Sequence, residues 1–251
     1  MKRYKKITYI LAYILVICLF FMPKSALAAN LSMEPMSNDT ILSLTGMPQS
    51  EINELDADIK AFIVDDLRKS GELFDIAYFS TEEIVTLIPR VNQVLSDITF
   101  SVSAFKSSNT VYIYPTYEFT ADKKPAGNDS FSFQIGDALV PYEYGGQIWY
   151  QDSTMSDWEL GGSMIANSQG FNGAEYSGTQ LGSPDWKMKM KGCTYVHAKI
   201  GSGTDKRIVM SYMHNPQKYS YSISFSYSGV GITYNSSNTV YTAAQTKFLS
   251  Y

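Results

Sequence analysis

The sequence predicts a mostly β protein: an antiparallel, β-sandwich-like domain preceded by a short α-helical segment. Three observations carry this. From Tyr219 to Tyr227 apolar and polar residues alternate without a break, with Tyr219, Tyr221, Ile223, Phe225 and Tyr227 on one face and four serines on the other. Successive strand side chains point to opposite faces, so this is a strand with one apolar side. Seven or more such short runs, separated by frequent turn signals, follow residue 97, which suits a sandwich. Finally, composition shifts there. Residues 29–97 hold 13 acidic and 4 basic residues, residues 98–251 hold 11 of each, and 26 of the 35 aromatics lie in the second part.

Residues 1–28 read as a signal peptide. Lys2, Arg3, Lys5 and Lys6 form a basic start, Ile7 to Met22 is apolar, and Ala26-Leu27-Ala28 is a small-residue cleavage site. The apolar run is short for a spanning helix of about 20 residues. Ile17 stands before Cys18 where lipidation would require a small residue. The expected product is a secreted, extracellular chain of 223 residues with one cysteine, Cys193, and so no internal disulfide. An acidic mature chain excludes nucleic acid as a partner, since phosphates need a basic patch.

In the acidic segment, residues 30–40 read as a loose leader. Pro48 opens a helix whose apolar stripe is Ile52, Leu55, Ile59, Phe62, Ile63 and Leu67. Glu51 and Glu54 suit its start, Arg68 and Lys69 its end, and Gly71 its stop. A second helix is expected from Ser80 or Thr81 to Ile88, ended by Pro89. The acidic outer face is ordinarily a solvated surface; the alternative is a pro-segment or docking face.

From Ile98 the period becomes two. Strands are expected at 98–103, 111–119, 131–136, 194–200 and 208–212, with a turn at 106–109. Pro115 suggests an edge strand or a bulge. Residues 145–185 read as irregular loops between short strands. Lys187, Lys189 and Lys191 alternate with Trp186, Met188 and Met190, as on a protected edge strand.

Chemistry is sparse. Two histidines and one cysteine make a poor zinc set, and HExxH, GxSxG and Gly-rich phosphate loops are absent. No catalytic residue, metal or cofactor is expected. Cys193 and His197 share a strand face about 13 Å apart at roughly 3.3 Å per residue, too far for a nucleophile and its base. His214 could reach Cys193 from a neighbouring strand; the ordinary alternative is a buried thiol acting as a small hydrophobe. Asp152, Asp157 and Glu159 lie near Trp149 and Trp158, a pattern open to a sugar site with an acid/base pair, as in an envelope hydrolase, or to a calcium-binding loop. Their spacing fits no known calcium loop, and acidic residues are ordinary in solvated loops. Trp149 and Trp158 are the glycan-binding candidates of a cell-wall binding module.

The Tyr/Ser strand has two readings. A strand packed on a core with its other face wet produces this alternation. So does a membrane-spanning strand of about nine to eleven residues. Past Ser228-Gly229 the apolar phase shifts to Val230, Ile232 and Tyr234, which fits a second strand and an insertable hairpin.

The segments MPQSEINELDADIKAFIVDDL, VYIYPTYEF, NDSFSFQIG and KGCTYVHAKI, with the Tyr/Ser-rich ending, resemble large secreted non-lanthionine bacteriocins of Gram-positive spore-formers, of the geobacillin kind. The resemblance covers nearly the whole mature chain and transfers no catalytic residue. It implies an antibacterial protein acting non-enzymatically on the target's cell envelope or membrane, with Tyr219, Tyr221, Ile223, Phe225 and Tyr227 as membrane-contact candidates.

Overall fold

Hydrophobic alternation from residue 98 onward becomes two antiparallel sheets packed face to face. The computed structural model describes residues 36–70, 75–84, 93–121, 129–151, 157–170, 172–177, 189–214, 222–225, 232–235 and 241–250. The expected leader, residues 1–28, lies outside them.

The first sheet has six strands: β1 (Ala77–Phe79), β4 (Ile98–Ser107), β5 (Thr110–Phe119), β11 (Lys189–Ile200), β7 (Leu139–Gln151) and β8 (Glu159–Met164), adjacent in that order. The second runs β2 (Thr81–Ile84), β15 (Tyr241–Leu249), β12 (Arg207–His214), β6 (Ser130–Ile135), β10 (Gly173–Ser177) and β9 (Ser168–Gly170). β3 (Gln93–Val94) joins β15 in parallel. β13 (Ser222–Phe225) and β14 (Ile232–Asn235) pair with each other as a separate two-stranded sheet. Among the described residues three helices precede the strands: α1 (Asn38–Leu44), α2 (Gln49–Glu54) and α3 (Ala57–Lys69).

Two cores result, one on each face of the first sheet. Between the sheets lie Val111, Ile113, Tyr117 and Phe119 of β5, Val196 and Ala198 of β11, and Phe131, Phe133, Met210 and Tyr212 of the second sheet. On the other face, Ile59, Ile63, Val64 and Leu67 of α3 and Ile41, Leu42 and Ile52 of the shorter helices cover Phe105, Tyr112, Tyr114, Trp149 and Cys193. The order of layers is therefore helices, sheet, sheet. Alternate residues of β5 and β11 feed opposite cores, which is why β5 is buried along almost its whole length. Each fully buried aliphatic or aromatic side chain contributes about 1.5–3 kcal/mol.

Several local expectations are corrected. The helix over 48–69 is broken. Leu55 and Asp56 are extended, and the Asp56 carboxylate caps α3 by accepting the Asp58 N–H at 2.8 Å. A side chain that bonds nearby backbone competes with helix continuation. Part of the supposed loose leader is α1. The second helix is absent over its described part: Thr81–Ile84 is β2, because pairing with β15 satisfies that backbone instead. Pro89 lies outside the described residues.

Pro115 is neither at an edge nor in a bulge, since β5 runs between β4 and β11. The missing N–H is accommodated by a gap in the β5–β11 ladder between Thr116 and Ile113, where the Thr194 hydroxyl donates to the Pro115 carbonyl at 2.9 Å. β11 is likewise no edge strand; it is flanked by β5 and β7, and Lys191 is completely buried. Residues 139–151, expected to be loop beyond 145, form one long strand. The composition break at residue 97 is not a packing break: β1 joins the first sheet and β2 and β3 the second, and residues 38–251 form one compact unit.

Candidate functional site

The helix-facing side of β11 carries Lys191, Cys193, Tyr195, His197 and Lys199 at every second position. It passes beneath α3, so its polar members must find partners on the helix or on the flanking strands β5 and β7.

Lys191 does so completely. Its ammonium donates to the carboxylates of Asp56 and, at 2.8 Å, Asp58, at the start of α3. It also sits 4.2 Å from the Trp158 ring centre and 5.8 Å from that of Trp149. Trp149 is itself buried and meets Phe62 edge-on at 6.1 Å. Glu118 beside this cluster is raised above the usual carboxylate range by burial and by Asp56, with Lys191 and Lys189 pulling the other way. The two tryptophans proposed for glycan stacking therefore do not form an exposed platform; they close a box around a cation.

Six residues on, His197 is held between two carboxylates. Nε2 lies 2.8 Å from Asp66 Oδ2 on α3, and Nδ1 lies 3.0 Å from Glu143 Oε2 on β7. The same Asp66 oxygen accepts the Tyr114 hydroxyl at 2.7 Å. Burial pushes the histidine pKa down, but hydrogen bonds and charge from Asp66 and Glu143 outweigh it and hold the group above its ordinary 6.5. Tyr195 stacks on the imidazole at 4.8 Å and Tyr112 meets it edge-on at 4.9 Å. Tyr195 lies this way because Gly145 is its partner on β7; a Cβ there would stand 2.6 Å from the ring.

Beside this histidine a groove of about 620 Å³ opens between α3 and the end of β7. Its walls include Tyr142, Glu143, Gln147, Ile165, Tyr195 and Lys199. Lys199 donates to Thr110 at 2.6 Å and lies 5.5 Å from the Tyr142 ring centre, and Lys69 pairs with Asp65 at 2.6 Å.

The remaining candidates are dispersed. Cys193 is buried under α3, accepts the Thr116 hydroxyl at 3.4 Å, and its thiol is pushed up to about 12 by burial. His214 is on β12 in the other sheet, paired with buried Asp129 at 2.9 Å, so the Cys193–His214 dyad does not form. Asp157 and Glu159 are exposed on and before β8, and Asp152 lies outside the described residues. Among the described residues no group of three or more His, Cys, Asp and Glu side chains could hold a metal ion, and no helix is long and apolar enough to cross a membrane. Of the membrane-contact candidates, Ile223 and Phe225 lie in β13, and Tyr219, Tyr221 and Tyr227 lie outside the described residues. The β13–β14 register sets Ile223 opposite Tyr234, Phe225 opposite Ile232 and Ser224 opposite Thr233.

Sequence reasoning missed Asp66, Glu143 and the role of His197. The one available signal was strand parity, which puts His197 and Lys191 on the face of β11 opposite to Val196 and Ala198.

No family profile and no curated protein matches the sequence. Solved structures similar to it include the collagen binding subdomain of the Enterococcus faecalis surface protein ACE, at 10% identity over 60% of this chain and 96% of that one, with a TM-score of 0.31. The KRT10-binding region domain of the pneumococcal serine rich repeat protein PsrP matches at 13% identity over 55% and 85%, with a TM-score of 0.25. A pore forming protein matches at 7% identity over 67% and 89%, with a TM-score of 0.29. At such scores none of these likenesses bears on function.

Proposed function

We propose that this chain is a secreted antibacterial protein of bacteriocin type that acts non-enzymatically on target cell envelopes, by inserting the hairpin around β13 and β14 into the membrane. The observation that supports this reading is that, among the described residues, these two strands pair with each other and join neither sheet of the sandwich, in a register that sets Ile223 opposite Tyr234 and Phe225 opposite Ile232. In the sequence Ile223, Phe225, Ile232 and Tyr234 alternate with Ser222, Ser224, Thr233 and Asn235. In a bilayer every backbone N–H and C=O needs a partner, so a lone hairpin cannot span it; several copies must close a barrel.

Two features elsewhere fit a non-enzymatic protein. Both ring nitrogens of His197 are engaged by carboxylates, which leaves neither to take a proton from a substrate. The Cys193 thiol is buried and held protonated.

The test uses folded protein beginning at Ala29. Viable counts of several Gram-positive strains should fall, and dye should leak from phospholipid vesicles. Ile223→Asp and Phe225→Asp should abolish both while far-UV circular dichroism stays unchanged. Folded variants that still cause leakage, or a parent protein that neither kills nor leaks vesicles, refute the reading.

A further inference from the structure

We infer that the groove beside His197 binds a neutral oligosaccharide. Its volume of about 620 Å³ falls within the range of small-molecule sites, about 300–1,000 Å³. A pyranose ring has an apolar C–H face and a rim of hydroxyls, and the groove offers matching partners for both. Tyr142 and Ile165 are 53% and 74% exposed at its edge and supply apolar surface. Glu143, Gln147 and Lys199 supply acceptors and donors along the same wall. Tyrosine suits such a place because its ring is an apolar plate with a polar tip.

Charge selects among sugar polymers. Lys69 is paired with Asp65, and His197 lies between Asp66 and Glu143. The acids and bases of the groove nearly cancel, which leaves no surplus positive field for a polyanionic glycopolymer and no surplus negative field for a cationic one. What discriminates at such a surface is hydroxyl geometry and ring stacking. The groove is also rigidly founded: Tyr195 forms part of its wall, seated on Gly145 and against His197.

The experiment titrates folded protein, beginning at Ala29, with chitotetraose, cellotetraose and mannotetraose by isothermal calorimetry, with a teichoic acid as anionic comparator. No membrane is present, so the outcome is independent of vesicle leakage. At least one neutral tetrasaccharide should bind saturably, with little change between low and high salt. Tyr142→Ala should weaken that binding at least tenfold, and Glu143→Gln should weaken it measurably, both with parental circular dichroism. Three outcomes overturn the inference: no saturable heat from any neutral sugar at millimolar concentration, binding that Tyr142→Ala leaves intact, or binding confined to the teichoic acid and lost in salt.

Discussion

Removing either side of the Lys191 cluster should have very unequal effects on stability. Asp56→Ala leaves a fully buried ammonium with Asp58 as its remaining carboxylate. Breaking a buried ion pair from one side costs about 3–5 kcal/mol, and the surviving partner puts this case near the low end. The same substitution removes the cap of α3, worth about 1 kcal/mol. The sum is about 4 kcal/mol. Lys191→Met, by contrast, places an apolar chain of similar length in the tryptophan box. Asp56 and Asp58 are 24% and 39% exposed and recover water. The lost attraction to the Trp158 ring, about 2 kcal/mol when desolvated, is offset by no longer burying a charge. The net change should stay within about 1 kcal/mol. Urea unfolding followed by tryptophan fluorescence measures both. At a slope of about 3 kcal/mol per M, Asp56→Ala should lower the midpoint by about 1.3 M and Lys191→Met by no more than a few tenths. Equal losses would refute the reasoning, because the ion pair would then itself be driving the helices onto the sheet.

Other outcomes follow from the same face. The His197 pKa is raised in the folded state, so the stability it contributes is complete below about pH 6.5 and is lost as pH rises through the folded value. The parent should therefore exceed His197→Gln by more at pH 6 than at pH 9 in urea melts; a gap that widens with pH reverses the assignment. Cys193 should not react with a thiol reagent in the native protein, and one equivalent should react in urea. A chain beginning at residue 98 lacks the helices over Phe105, Tyr112, Tyr114 and Trp149, and should bind a hydrophobic dye and lose cooperative unfolding. A cooperative melt of that fragment would restore residue 97 as a domain boundary.

What was readable in the sequence was whatever depends on neighbours in the chain. Alternation over 98–103, 111–119 and 208–212 became strands because each has an apolar face to bury. The turn at Ser108-Asn109 became a two-residue hairpin, with Ser107 opposite Thr110. The four residues of β2 were too few to distinguish a helical from an extended period, and its pairing with β15 decided the matter. Lys191 misled because alternating lysines look the same on a wet edge as beneath a helix whose carboxylates receive them. The His197 site was illegible for a simple reason. Asp66 and Glu143 stand 131 and 54 residues away, and only cross-strand register and the docking of α3 bring them together.

The position of β11 has a consequence for how the chain finds its fold. This strand is made after β5 and β7 yet lies between them, so the first sheet has to close by receiving a late strand along two seams at once. One seam sets Gly192 of β11 opposite Tyr117 of β5, and the other sets Gly145 of β7 opposite Tyr195 of β11. At both glycines a Cβ would stand within 2.4 or 2.6 Å of the facing ring. A slip of one residue along either seam would drive a tyrosine onto a side chain and turn every residue of β11 to the wrong core. Each seam thus carries its own key and notch, and the two notches admit the last strand of the sheet in a single alignment.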